Sequence, residues 1–138
     1  MWEVGGVIAV IIAIIVFFNS SSGEKALIEA HNEMARLERD YANAVDRTDG
    51  ASSEAEGIRQ VRDALDLFHV SLMKVDVSGC PDDYKKTFTD LINVVEDMKD
   101  ALDDDDFDKC VRLNQERLSI AQQLNGNMEK HGLEILGP

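Results

Sequence analysis

The feature that most constrains this chain is an unbroken apolar run near its start. Residues 4–18 read Val-Gly-Gly-Val-Ile-Ala-Val-Ile-Ile-Ala-Ile-Ile-Val-Phe-Phe and carry no polar side chain. A helix that is apolar on every face belongs inside protein or in lipid. A helix of this length covers about 22 Å, while the hydrocarbon core of a bilayer is about 30 Å thick. Trp2 and Asn19 lengthen the run at its edges, and Trp suits an interfacial position.

We therefore predict that residues 1–23 form a hydrophobic membrane or assembly helix followed by a Ser-rich hinge. A cleavable signal peptide is the competing interpretation, but it would carry a basic stretch before its apolar core, and none is present here. The partners implied by residues 2–18 are membrane lipid, neighbouring copies of the chain, or both. The chain would then be a homo-oligomer or a subunit of a membrane complex.

The sequence gives conflicting signals about which side of the membrane the rest of the chain occupies. Lys25 and the arginines that follow it favour a cytoplasmic position for the rest of the chain. The flank Asn-Ser-Ser-Ser-Gly directly after the apolar run lacks the basic cluster that usually holds a domain inside. On that basis we predict an extracytoplasmic domain, in a periplasm or at a cell surface.

Residues 24–138 are predicted to form an acidic domain built from helices. Four segments, residues 27–44, 58–75, 84–102 and 107–135, carry apolar residues at alternating spacings of three and four. That spacing places each apolar set on one face of a helix, as in the seam of a bundle. The connections between segments are short, which makes neighbouring helices antiparallel. The predicted fold is therefore all-α, an antiparallel up-down four-helix bundle behind the hydrophobic helix.

Helix boundaries can be read from residues with known positional preferences. Ser53-x-x-Glu56 fits a capping box at the start of the second bundle helix. Gly50 and Gly79 occupy positions where C-terminal caps are expected. Pro81 is predicted as the first residue of the third helix, because the proline ring suits the first turn.

Charge and motif content argue against several classes of function. A net charge of -13 excludes nucleic acid as a partner, because phosphates require clusters of Lys and Arg. Histidines stand isolated at positions 31, 69 and 131, and we find no nucleophile constellation and no phosphate loop. We predict that the protein is not an enzyme and has no catalytic residue.

Metal sites are not predicted either. Asp66-x-x-His69 is one loose relative of the Glu-x-x-His unit, and a di-iron bundle requires two such units. Residues 103–106 are four consecutive aspartates that lack the central Gly and alternate spacing of an EF-hand. We interpret them as a solvated turn that closes the third helix and caps the fourth.

Cys80 and Cys110 are the only cysteines of the chain. Cys80 precedes the third helix and Cys110 lies early in the fourth, so a helix roughly 30 Å long separates them. A disulfide needs its Cα atoms within about 7 Å, which excludes a bond within one hairpin. Two interpretations stay open: unpaired thiols, or a disulfide between subunits in an oxidising compartment.

The positions of one methionine and one histidine, Met34 and His131, are part of a resemblance to a known family. Met34 lies on the apolar stripe of the first bundle helix and His131 near the end of the fourth. Helix phase and topology over roughly residues 24–135, with stretches such as Val-Arg-Asp-Ala-Leu at 61–65 and Met-Lys-Asp-Ala-Leu at 98–102, resemble the cytochrome b562-type bundle. The resemblance implies haem b held between Met34 and His131. No cofactor is predicted otherwise.

The N-terminal layout is similar to that of pilin-like filament subunits. It has a short start, the acid Glu3, the glycines Gly5 and Gly6, and an apolar run, followed by a soluble head. The resemblance covers residues 1–22 and implies that Glu3 neutralises the α-amino group of a neighbouring chain during assembly. Gly5 and Gly6 would allow close helix packing. The leading functional hypothesis is a non-enzymatic structural or assembly subunit; the alternatives are an accessory subunit of a membrane complex or a haem- or small-ligand-binding bundle.

Overall fold

The computed structural model describes residues 14–16, 22–132 and 134–136 of the chain. Most of these residues lie in helices, which are linked by short turns. The helices are α1 (Ser22–Asp46), α2 (Glu54–Met73), α3 (Asp82–Asp103) and α4 (Phe107–Lys130), with a 3-10 turn (Arg47–Gly50) after α1. Two short strands, β1 (Ile14–Val16) and β2 (Glu134–Leu136), pair antiparallel with Ile15 opposite Ile135.

Contacts between helices fix an up-down-up-down order. Between α2 and α3 and between α3 and α4, the numbers of the contacting residues rise on one helix as they fall on the other, and α1 contacts α2. Such contacts are Tyr41 with Phe68, Asp66 with Lys99, His69 with Glu96, Thr87 with Asn127, and Asp83 with His131. The predicted all-α four-helix bundle is therefore confirmed. We call the end at which α1 begins and α4 finishes the proximal end, and the opposite end the distal end.

The core follows a heptad pattern on every helix. On α3 the apolar residues at spacings of four and three are all at most 1% exposed: Tyr84, Phe88, Leu91, Val95, Met98 and Leu102. Burying each large side chain of this kind contributes roughly 1.5–3 kcal/mol, so the stripe rather than helix propensity holds the helix in place.

The buried face of α4 differs from the predicted one. The three- and four-residue spacing over residues 107–135 predicts that Val111 and Leu118 face the core, whereas Val111 is 44% exposed and Leu118 is only partly buried. The buried set is displaced by one residue at these two positions and consists of Cys110, Asn114, Arg117, Ile120, Ala121, Leu124 and Met128. The shift has a physical reason, because it brings the Arg117 side chain inside, where it is paired.

The predicted boundaries are partly confirmed, with three corrections. Gly50 is the last residue of the 3-10 turn, and Ala51 rather than Gly50 is its C-cap. The Ser53 Oγ accepts a hydrogen bond from the Glu56 backbone N at 3.1 Å, as a capping box requires. Pro81 is the N-cap of α3 and not its first residue. Gly79 is not a helix cap, because α2 ends at Met73; it passes so close to α1 that an added Cβ would lie 2.8 Å from the Ala26 Cβ.

The prediction for the N-terminal segment is corrected in part. Ile14–Val16 form a strand, so a single helix running through residue 18 is wrong. None of the helices among the described residues is long and apolar enough to cross a membrane. Glu3, Gly5 and Gly6, the predicted assembly residues, lie outside the described residues.

Candidate functional site

A charged pair is enclosed in the distal half of the bundle. The Arg117 Nη1 donates to the Glu38 Oε2, and both side chains are 0% exposed. The Arg117 Nε donates to the Asn114 Oδ1 at 3.0 Å. Burial raises the pKa of the Glu38 carboxyl, and the adjacent guanidinium opposes that shift. The pair joins α1 to α4 across the core.

Two aromatic rings cover the guanidinium. Tyr41 and Phe68 stack with their centroids 4.9 Å apart. The Arg117 Cζ lies 5.1 Å from the Tyr41 centroid and 5.9 Å from the Phe68 centroid, within the range of cation–π attraction. Among the described residues the Arg117 Nη2 has no hydrogen-bond partner. The positive charge is thus held by one carboxylate, one amide and two rings.

A second polar cluster lies toward the proximal end. His31 is 0% exposed; its Nδ1 is 2.8 Å from the Tyr84 Oη and its Nε2 is 2.7 Å from the Asn125 Oδ1. The amide oxygen can only accept, so Nε2 carries the proton and Nδ1 accepts from the tyrosine hydroxyl. Burial lowers the pKa of His31 to about 4, although the bond to Asn125 works in the opposite direction. The imidazole is therefore neutral at pH 7.

These clusters are connectors and not reactive centres. Each links α1 to α4 through side chains that are buried or partly buried, and buried polar contacts of this kind favour one register between helices. A catalytic base must reach its substrate, which neither Glu38 nor His31 can do in this arrangement.

An open cavity of about 660 Å³ lies at the distal end, beside the turn between α1 and α2. Its volume falls in the range of small-molecule sites, about 300–1,000 Å³. The walls come from the 3-10 turn, the start of α2 and the start of α4. The lining residues are Thr48, Asp49, Ala51, Ser53, Glu54, Ile58, Phe107 and Val111. We refer to this site as the distal cavity, and it is the candidate binding site of the described chain.

Met34 and His131, the predicted haem ligands, are not brought to an open site. Met34 is 1% exposed within the core, and the His131 Nε2 lies 3.0 Å from the Asp83 Oδ1. The contact with His131 lowers the pKa of Asp83 to about 2. A haem needs a cleft for its ring and an available imidazole nitrogen. In this arrangement Met34 packs in the core and the His131 Nε2 faces Asp83, and haem binding by these residues stays a prediction.

Both cysteines are free and buried, at opposite ends of the bundle. The Cys80 Sγ lies 3.8 Å from the Ala26 carbonyl oxygen near the proximal end, and the Cys110 Sγ lies 3.7 Å from the Met98 carbonyl oxygen near the distal end. This agrees with the expectation that they form no bond to each other. Burial raises the pKa of Cys110 to about 12, so its thiol is unreactive while the core is closed. The disulfide between subunits stays a prediction, and it would require the sulfur atoms to become exposed.

Comparison with known proteins adds no relative. No protein-family model matches the chain, and no curated protein or solved structure is significantly similar to it. The fold defines the class, an up-down four-helix bundle, and the resemblances to cytochrome b562-type bundles and to pilin-like subunits have no support from homology.

The polar clusters and the distal cavity were not found from the sequence. A signal for the clusters was present, since Leu27, His31, Met34, Glu38, Tyr41 and Val45 follow one another at spacings of four and three. Polar residues at such heptad positions are buried. An acid on α1 and a base on α4 at such positions predict a pair. The cavity had no comparable signal, because it is formed by a turn and two helix starts that are distant in sequence.

Proposed function

We propose that this chain is a non-enzymatic assembly subunit, attached at its proximal end to a membrane or a membrane complex through its apolar N-terminal sequence. The observation that carries the proposal is the distribution of charge along the bundle. The proximal end holds most of the lysines of the chain, near the strand in which the apolar run continues. These lysines are Lys25, Lys74, Lys85, Lys86 and Lys130.

At the proximal end these lysines are balanced by the acids Glu24, Asp76, Asp82, Asp83 and Glu129, whereas the opposite end carries an excess of acids. Residues 103–106 are all exposed aspartates, and Asp46, Asp49 and Glu54 lie at the same end. Lysines near an anionic lipid surface are attracted to it by about 1 kcal/mol each, while carboxylates are repelled. A molecule charged in this way is oriented with its proximal end toward the headgroups and its acidic end toward water.

Of the four large apolar residues that are exposed among the described residues, three lie toward the proximal end. Leu67, Val70 and Met73 on the last turns of α2 are 70%, 46% and 62% exposed. Side chains of this kind near a membrane or a partner bury their apolar surface there. A span that continues as one helix through residue 18 is not part of the proposal, because Ile14–Val16 are extended.

Vesicle flotation of the full chain tests the attachment. The chain should float with phosphatidylcholine vesicles and more strongly when phosphatidylserine is included. The double variant Lys74→Glu/Lys86→Glu should lose the gain from anionic lipid, because two proximal attractions become repulsions. The control, Lys109→Glu/Arg112→Glu, changes the same charge near the distal end and should float like the parent chain. Absence of flotation with both lipids, or equal losses in the two variants, would contradict the proposal.

The finer form of the proposal is a pilin-like filament in which Glu3, Gly5 and Gly6 pack neighbouring chains. An unpaired charge in an apolar interior is costly, so Glu3 would be matched by an α-amino group. Sedimentation and negative-stain microscopy of the full chain and of Glu3→Ala test this form. Assembly that is unchanged in Glu3→Ala would exclude the role of Glu3 and leave the attachment itself unaffected.

A further inference from the structure

The distal cavity combines apolar walls with charge of one sign. Ile58, Phe107 and Val111 supply apolar surface, and the only charged groups of the lining are the carboxylates of Asp49 and Glu54. Val111 is 44% exposed and forms part of the lining of the cavity. At Val111 the side of α4 that faces away from the core therefore lines the cavity.

The two carboxylates lack ionic partners within the described chain, unlike many other acids of the surface. Glu33 and Asp40 pair with Arg36, and Glu56 and Asp63 pair with Arg59. Asp49 and Glu54 make no ion pair with any described residue and have no basic neighbour in the lining of the cavity.

The helix starts at this end do not reverse the charge of the site. The starts of α2 and α4 would attract anions if their backbone N–H groups were unoccupied. Ser53 caps α2 through the Glu56 N, and Asp106 caps α4 through the Lys109 N at 3.1 Å. With these caps in place, the carboxylates determine the charge that a ligand meets.

We propose that the distal cavity binds a small organic cation with an apolar body, an alkyl- or arylammonium. The apolar body packs against Ile58, Phe107 and Val111, and the ammonium group lies between Asp49 and Glu54. Both parts are required: an inorganic cation leaves the apolar walls in water, and an anion of the same shape meets two unpaired carboxylates. The proposal is independent of membrane attachment, because the cavity lies at the opposite end of the bundle.

The test uses three probes of one shape on the ¹⁵N-labelled full chain, followed by amide chemical shifts. The probes are 4-phenylbutylammonium, the neutral 4-phenylbutanol and the anionic 5-phenylpentanoate, with ammonium chloride as the control for charge alone. A ligand of this size should bind with a dissociation constant on the order of millimolar. We expect saturable shifts at the lining residues with the phenylbutylammonium, weaker shifts with the alcohol, and none with the carboxylate or ammonium chloride. Equal binding of cation and anion on the parent chain overturns the proposal without any variant.

Matched variants locate the site. Asp49→Asn/Glu54→Gln should weaken phenylbutylammonium binding about fivefold, because the variant removes two ionic contacts that are each weakened by solvent. Asp46→Asn/Asp104→Asn removes the same charge at the same end outside the lining and should bind like the parent chain. Val111→Ser should weaken binding about threefold through lost apolar contact, while Val70→Ser on α2 should not. Equal effects within either pair of variants would show that bulk charge or general hydrophobicity is responsible, and would overturn the proposal.

Discussion

The two halves of the bundle join the same pair of helices, α1 and α4, by opposite means. The distal half uses a charged pair, Glu38 with Arg117, and the proximal half uses the neutral His31 between Tyr84 and Asn125. A buried ion pair carries a large desolvation cost that only its partner offsets, so removing one member is severe. A neutral histidine carries no such cost until it is protonated. The first junction should therefore be sensitive to mutation and the second to acid.

The largest expected effect follows from breaking the distal junction. Arg117→Met leaves the Glu38 carboxylate buried without its cation and should reduce the free energy of unfolding by about 3–5 kcal/mol. Urea unfolding followed by circular dichroism measures the loss. Arg112→Met, an exposed change on the same helix, is the control and should stay within about 0.5 kcal/mol of the parent.

The double variant Glu38→Met/Arg117→Met separates charge from packing. If Arg117→Met is destabilising because the Glu38 carboxylate is left buried without a cation, removing that carboxylate as well should recover most of the lost stability. A double variant as unstable as the sum of the two single variants would show that the ion pair contributes no coupling and would contradict the assigned role.

Acid should break the proximal junction. The pKa of His31 is about 4 in the folded chain and 6.5 in the reference state, so the unfolded chain binds the proton first. The associated stability is fully present above pH 6.5 and is lost as pH falls toward 4, by about 3 kcal/mol in total. Glu38 acts in the opposite sense, because its raised pKa favours proton binding by the folded chain.

Unfolding measured at several pH values checks this sign. The parent chain should lose stability between pH 6.5 and 4 more steeply than His31→Gln, which cannot titrate. His131→Gln is the matched control: it removes a partly exposed imidazole and should leave the His31 contribution in place. Parallel pH profiles for the parent and His31→Gln would rule out His31 as the acid-sensitive group.

The sequence predicted the bundle and missed its junctions for one reason. Apolar residues at alternating spacings of three and four define helix faces, and on α3 that rule selected the buried residues correctly. On α1 and α4 the heptad positions pass through Glu38 and Arg117, which the rule assigns to solvent because single charges are rarely buried. The cost of burying each charge is offset only when the opposite charge on the other helix lies beside it. That contact depends on tertiary structure and cannot be seen in either helix alone. The distal cavity depends on tertiary structure in the same way.

Close packing at the proximal end gives the next effect in size. Gly79→Ala would place a Cβ 2.8 Å from the Ala26 Cβ, so the turn before α3 must shift away from α1. We expect a loss of about 1–3 kcal/mol, typical of overpacking. Gly50→Ala at the distal end meets nothing within 4 Å and should be neutral or slightly stabilising. Thermal unfolding of the two variants compares the ends directly, and equal midpoints would contradict the difference in packing.

The smallest expected effect concerns the helix starts. At the distal end the Ser53 side chain caps α2, whereas at the proximal end Pro81 is the N-cap of α3 and makes no side-chain hydrogen bond. Ser53→Ala should cost about 1 kcal/mol, because the Glu56 N–H loses its acceptor, and the exposed Ser52→Ala should cost almost nothing. Ser53→Asp keeps an acceptor and should retain parent stability. If Ser53→Asp were as unstable as Ser53→Ala, the lost stability would come from something other than the cap, because only the alanine variant removes the acceptor.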